Sequence, residues 1–273
     1  MSIKVSVIIP TYNAKETITR AVHSILHQSY QNFEIILVDD CSKDGTYDLL
    51  KTLEKQDSRI HAYQNKENKK SAYTRNHAIK KSIGEYIMQL DDDDYCVKTR
   101  MEKQLKFLDD NKGFDFVGSN CFLFDQEGIY GNMESPTNPK KEDLLSTSPF
   151  INPSVMFRKK ALQKVEGYRV SKETIRGQDY DLYLRMYAIG LHGYNIQEEL
   201  IFYYKDSKSF SKSSFYYRIG EAKFRYRNFK KMNLFPKALP YVIKPLIAAL
   251  IPNKILYWRH SKKGIGRKNN ITN

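Results

Sequence analysis

Four consecutive aspartates, Asp91 to Asp94, close the short apolar run Tyr86-Ile87-Met88-Gln89-Leu90. Adjacent carboxylates repel one another, and the repulsion is relieved either by full solvation or by a bound cation. At the carboxyl end of a buried strand, such a cluster occupies the place where open α/β sheets put their ligands. The other reading is a solvated loop whose last Asp caps a helix beginning near Lys98. Two more polar segments follow apolar runs: Pro10-Thr11-Tyr12-Asn13 after the first, and Asp39-Asp40 after the second. If the three runs are parallel strands of one sheet, these segments share an edge and build one cleft.

The elements that must hold them are legible as periodicities. Ile3–Ile9 is a β-branched run expected to form a buried strand stopped by Pro10, and Phe33–Val38, Ile60–Tyr63 and a strand opening at Glu85 follow. Between them lie a helix from about Ala14, a helix over Tyr47–Lys55 and a helix over Ala72–Lys81. The first carries Ile18, Ala21, Val22, Ile25 and Leu26 on one face. This alternation predicts an α/β fold with a parallel sheet and right-handed crossovers. Further on, a helix over Lys98–Asp110, a strand over Phe114–Phe124 and a turn at Asp125–Gly128 into Ile129–Tyr130 are expected. A helix over Lys159–Val165 and another over Gly177–Gly190 follow. There is no GxGxxG after the first strand and no GxxxxGK[ST], so dinucleotide and Walker-type phosphate binding lack support.

Composition bounds the rest. The chain of 273 residues is 41% apolar and 28% charged, which suits a globular protein with a sizeable core. Cys41, Cys96 and Cys121 form no CxxC pair, which argues against a disulfide scaffold or structural zinc and predicts a reducing compartment. No secretory leader is expected at the amino terminus, and no run approaches a membrane span. The net charge of +14 is unevenly placed: residues 203–273 hold 17 Lys and Arg against Asp206 and Glu221, whereas the first 202 are nearly neutral. Leu239, Val242, Ile243, Leu246, Ile247, Leu250 and Ile251 keep helical spacing, with Pro240, Pro245 and Pro252 predicting kinked short helices. Ile255–Trp258 leads into a basic end, expected to be disordered from Ser261. A basic, aromatic-flanked amphipathic segment is suited to an anionic bilayer; the alternative is a helix packed on its own domain.

The ordered set VSVIIPTYNA, SILHQSYQNFEIILVDDCSKDGT, TRNHAIKKSIGEYIMQLDDDDY, NPSVMFRKKAL with EGY, and GQDYDLYLRM resembles the family 2 glycosyltransferases, from about Ile3 to Tyr204. The resemblance implies a GT-A fold: a mostly parallel, Rossmann-like sheet flanked by helices, here with a helical basic C-terminal extension. It implies a catalytic domain over 1–204, nucleotide-binding over 1–112 and acceptor-side over 113–204, followed by a basic tail over 205–273. Carried over, Thr11 and Tyr12 frame the nucleotide base and Asp40 hydrogen-bonds it, which suits a UDP-sugar. Arg75 lies near the nucleotide or its diphosphate, Asp91 and Asp92 face the ribose, and Asp93 ligates Mg²⁺ or Mn²⁺. With four aspartates adjoining, a slip of one residue would make Asp94 the ligand. Asp179 matches the general base, and one-step displacement would invert the anomeric centre. Gln178 stands where the family commonly has Glu, and Asn152-Pro153 lacks a histidine found in some members.

Each assignment has a plainer alternative: Tyr12 as core, Arg75 in a surface ion pair, Asp179 as a helix N-terminal acid. Arg185 is either structural or an acceptor contact. The leading expectation is a metal-dependent transferase. It would work at the cytoplasmic face of the cell membrane on a saccharide, lipid-linked or lipopolysaccharide-type acceptor. A nucleotidyltransferase would want a Gly- and Arg-rich phosphate loop in place of PTYNA, and a nucleic-acid binder would leave the Asp clusters unexplained.

Overall fold

The computed structural model describes residues 3–206 and 215–250. Strands β1 (Val5–Thr11), β2 (Phe33–Asp39), β3 (Ile60–Gln64) and β4 (Tyr86–Gln89) pair in parallel in the order β3-β2-β1-β4. Helices α1 (Ile18–Leu26), α2 (Thr46–Gln56) and α3 (Lys70–Lys81) connect them. Successive side chains of a strand point to opposite faces. Val5, Val7 and Ile9 accordingly join one core with Ile18, Val22 and Ile25 of α1, while Ile8 joins a second core with Ile36, Val38 and Ile87. Coverage of both faces explains why these strands read as unbroken apolar runs.

Pro10 does not stop β1, which continues to Thr11 in register with Val38 and Asp39 of β2. Pairing with β4 ends at Ile8 opposite Gln89, and Ile8 O accepts from Leu90 N. Pro10, on the same side of the strand as Ile8, therefore lacks its N–H where no partner strand remains to receive it.

Beyond β4 the chain forms β5 (Tyr95–Cys96), α4 (Arg100–Asp110), β6 (Phe116–Asp125), β7 (Gly128–Met133), β8 (Met156–Arg158), α5 (Lys159–Lys164), α6 (Gln178–Ala188) and β9 (Gly193–Tyr204). The sheet runs on as β4-β8-β6-β9-β5, with β7 on β6, and this half is mixed: only β6 and β9 are parallel. β4 and β5 are separated by residues 90–94 alone, yet three strands lie between them in the sheet. Four strand spacings of about 4.8 Å make roughly 19 Å. A turn in which Asp94 N donates to Asp91 O shortens the connection well below that reach. The sheet must curl to bring its far edge back, and the aspartates sit at that closure.

Helices α7 (Phe215–Lys231) and α8 (Leu239–Leu250) complete the described chain. Phe224, Phe229, Met232 and Leu234 are buried in the second core with α6. The region expected as kinked short helices is one helix over Leu239–Leu250, for two reasons. Pro240 lies in the first turn, where its N–H is not needed. Pro245 leaves Tyr241 O without its helical donor, and Arg225 Nη1 supplies one at 3.1 Å. Pro252, Ile255–Trp258 and the end from Ser261 lie outside the described residues. Among those described, no helix is long and apolar enough to cross a membrane.

Candidate functional site

Two loops after β1 and β2 are tied to each other before they touch anything else. Asn13 N donates to Ser42 Oγ at 2.8 Å, Lys43 N returns to Asn13 Oδ1 at 3.0 Å, and Ala14 N donates to Thr46 Oγ1 at 2.9 Å. The adjacent acids divide the work. Asp39 holds the turn, accepting from Ser42 N at 3.0 Å and Gln64 Nε2 at 2.9 Å. Asp40 accepts from Asn65 Nδ2, Lys69 N and Lys70 N, each at 2.8 Å, so it satisfies the N-terminal donors of α3. Asp40, Thr11, Tyr12, Lys70, Arg75 and Asp91–Asp93 line one cavity of about 380 Å³. Thr11 is buried and Tyr12 is 49% exposed at its mouth, which excludes Tyr12 as a core residue.

The four aspartates have four environments. Asp91 Oδ1 receives Arg75 Nη2 at 2.5 Å, and Arg75 is buried rather than on the surface. Burial opposes the Arg75 charge, but Asp91 outweighs it and raises the guanidinium pKa. Asp92 Oδ2 accepts from Tyr12 N at 3.0 Å. Asp93 accepts from Arg20 Nη2 through its backbone carbonyl at 2.7 Å, and the same guanidinium acts on its carboxylate through charge alone. Asp94 is fully buried, accepts from Tyr204 N at 2.7 Å and takes no part in lining the cavity. Burial, aided by neighbouring carboxylates, pushes Asp92 to about 7 and Asp93 to about 6.

That crowding tests whether a cation suits the site. The donors are all oxygen, Arg75 is committed to Asp91, and the Asp92 and Asp93 carboxylates are held at the cavity wall at a cost in charge. A hard divalent ion matches such donors. Among the described residues no three His, Cys, Asp or Glu side chains make a complete cage. The remaining coordination positions would be open to oxygens from outside the protein.

Arg75 and Asp91 also line a second cavity of about 660 Å³, together with Glu134, Asp143, Asn152, Gln178, Asp179 and Tyr203. The two cavities thus meet at one ion pair. Asp179 stands in the first turn of α6, behind Gly177, whose φ of +94° suits glycine. Burial raises its pKa; the Tyr180 N–H and the Arg75 charge oppose the rise, and Asp91 adds to it. Two residues on, Asp181 has a different fate: fully buried, it pairs with Arg169 at 3.2 Å and Arg185 at 2.8 Å. Arg185 Nη2 also donates to Gly167 O at 2.7 Å, so Arg185 is structural. With its amide oriented to satisfy its neighbours, Gln178 donates to Ile175 O at 3.0 Å and Thr174 O at 3.3 Å, and accepts from Arg75 Nη1 at 3.3 Å. The two carbonyls demand a donor, which accounts for an amide rather than a carboxylate here.

The profile described as Glycosyl transferase family 2 matches residues 6–166. The chain belongs to glycosyl transferase family 2. It is 36% identical over 269 residues to a Bacillus subtilis (strain 168) protein named "Putative glycosyltransferase EpsE", covering 98% of this chain and 97% of that one. It is 35% identical over 191 residues to WfaP of Escherichia coli, named a UDP-Glc:alpha-D-GlcNAc-diphosphoundecaprenol beta-1,3-glucosyltransferase, covering 70% of this chain and 73% of that one. In fold it is similar to S. aureus TarS 1–349 solved with UDP-GlcNAc, at a TM-score of 0.69 and 18% identity over 96% of this chain and 88% of that one. Mannosyltransferase PcManGT from Pyrobaculum calidifontis, solved with GDP-Man and Mn2+, gives a TM-score of 0.60 at 18% identity, over 97% and 81%. The expected GT-A architecture is thereby borne out.

Sequence reasoning missed several residues of this glycosyltransferase's cavities. Lys70 and Ser71 line the first because α3 begins two residues earlier than its apolar pattern shows, and Lys70 itself has a φ of +69°. Glu134, Asp143 and Ser146–Ser148 line the second from a stretch with little regular structure, where periodicity carries no signal. Asn152, in the position noted for lacking histidine, accepts from Tyr183 Oη at 3.1 Å.

Proposed function

We propose that the enzyme transfers a hexose-type sugar from a UDP-sugar to a hydroxyl of a saccharide or lipid-linked acceptor in cell-surface polysaccharide synthesis, inverting the anomeric carbon. The observation that carries this reading is the meeting of the two cavities at Arg75–Asp91, with Asp93 on one side and Asp179 on the other. WfaP, whose name gives UDP-Glc as donor and a diphosphoundecaprenol-linked acceptor, supports the donor and acceptor classes. PcManGT, solved with Mn2+, supports a divalent cation.

Thr11 and Tyr12 frame the base, with the Tyr12 ring at the cavity mouth. Asp40 uses three of its roughly four acceptor positions on α3 and Asn65, which leaves one for a uracil N–H. Asp91 and Asp92 face the ribose, and Arg75 serves the nucleotide diphosphate. Asp93, not the buried Asp94, would hold Mn²⁺ or Mg²⁺, and the ion would supply positive charge to offset that of a departing diphosphate. Asp179 takes the proton from the acceptor hydroxyl as that oxygen attacks from the face opposite the leaving group. Its raised pKa makes it a stronger base than an exposed carboxylate. The enzyme works at the cytoplasmic face of the cell membrane, where the net positive charge of its C-terminal sequence favours an anionic surface.

Nucleotide release from a panel of nucleotide sugars with Mn²⁺ tests this reading. A UDP-sugar is the expected substrate, and Asp93→Asn and Asp179→Asn should each lose on the order of 10²-fold or more in turnover. Normal turnover by both variants overturns the assigned roles.

A further inference from the structure

We propose that the outward face of the α7–α8 hairpin is the surface that docks on an anionic lipid bilayer, an inference that rests on the membrane-side placement proposed above. Phe215, Ile219, Ala222 and Tyr226 of α7, with Val242 and Leu246 of α8, line an open apolar groove of about 690 Å³, at whose edge Glu173 pairs with Lys223 and Arg227. Beside it Leu239, Ile243 and Ile247 fall at i, i+4 and i+8 and are 49%, 40% and 56% exposed. The inward side of α8 is already used: Pro245 is buried, as is Ala238 just before the helix, and Val242 at the edge of the groove also packs against the second core. A helix apolar on both faces is built to be covered on both.

Charge selects the occupant. Residues 215–250 carry eight Lys and Arg against Glu221 alone, and residues 251–273 add six with no acid. Four of the eight, Lys230, Lys231, Lys237 and Lys244, have no ion pair among the described residues. A second copy of this chain would set two basic faces against each other, and the chain's own residues 251–273 would bring like charge to the same rim. An anionic bilayer answers both the apolar face and the basic rim. α7 also lies directly behind the turn that presents Asp179. Gly220 abuts Glu173, and the Phe224 ring meets Gly177. Docking there fixes the acceptor side of the enzyme relative to the lipid.

The test is sedimentation of the full-length protein with vesicles of phosphatidylcholine plus phosphatidylglycerol, against phosphatidylcholine alone, without donor. Wild type should bind the anionic vesicles about tenfold or more tightly, less so at high salt. Ile243→Glu/Ile247→Glu should lose about tenfold of that binding while keeping its melting temperature and vesicle-free nucleotide release; if the double variant melts early, Ile247→Glu alone is read. Binding unchanged in the variant, no preference for anionic lipid, or a wild-type dimer that the variant dissociates each overturns the proposal. Vesicle binding without any nucleotide release would instead count against the catalytic reading alone.

Discussion

Neighbouring carboxylates in this chain are separated in role by what their oxygens meet, and the Asp run shows this most sharply. Asp94 accepts a buried backbone N–H from Tyr204, so Asp94→Ala orphans that donor and should destabilise the fold by about 1–3 kcal/mol in denaturant melts. At pH 8, Asp93→Ala should raise the cation-free melting temperature, because it removes a carboxylate that is ionised against its burial, and should abolish the rise produced by Mn²⁺. Asp92 and Asp93, pushed to about 7 and about 6, hold protons more tightly folded than unfolded. Cation-free stability contributed by this pair is therefore present at low pH and lost as pH rises toward 7. Protons and cation compete for the same oxygens, so the Mn²⁺ increment in calorimetry should be larger at pH 8 than at pH 5. The reverse order would contradict the assignment. Asp179 titrates in the same sense, and in its proposed role as base its raised pKa predicts that kcat/KM falls on the acid side as it is protonated. Gln178→Glu adds a negative charge beside Asp179 and sets an acceptor against the Ile175 and Thr174 carbonyls. The acid limb should shift to higher pH, and stability should fall by about 1–2 kcal/mol.

At the scale of elements, the position of α6 depends on a helix far along the chain. A Cβ at Gly220 of α7 would lie 2.5 Å from Glu173 O, closer than packed atoms allow. Gly220→Val must therefore push α7 away from the turn over residues 171–177, at a cost of about 1–3 kcal/mol. That corresponds to a fall of about 2–10 °C in Tm for a chain of this size. Because this turn leads into Gln178 and Asp179 and supplies no wall of the first cavity, the proposed roles predict that kcat and the acceptor KM worsen while donor affinity stays constant. A Gly113→Val control, with nothing within 4 Å of the added carbon, should change none of these. Equal loss of donor affinity in Gly220→Val would show that the two cavities are not positioned separately. The same dependence explains part of what sequence could reveal. Asp179 was legible because its motif is local, but the contact of Phe224 with Gly177 joins residues 47 apart and has no local signature.

Over the whole molecule, the parallel half was readable because each strand and helix advertises itself by its own apolar period. The mixed half was not. Two-residue β5 exists only through its pairing with Phe202 and Ile201, and β9 places exposed Gln197 and Glu198 side by side inside a strand, breaking its alternation. The cavity acids were identifiable as types at strand ends, whereas the donors that orient Asp40 are backbone N–H groups, which every residue carries. The basic C-terminal part was the least legible, because its charge suggests an appendage while its aromatic residues enter the core. Phe224 and Phe229 are fully buried, and Met232 and Leu234 nearly so. At about 1.5–3 kcal/mol for each buried side chain, removing these four would cost about 6–12 kcal/mol. That is comparable to the whole stability of a typical domain, about 5–15 kcal/mol. A chain ending at Tyr204 should therefore be insoluble or unfolded, and the full-length enzyme should lose its α6 and α7 amides to hydrogen exchange in one cooperative step. A stable, active 1–204 fragment would show that these helices are an accessory, and that the second core closes without them.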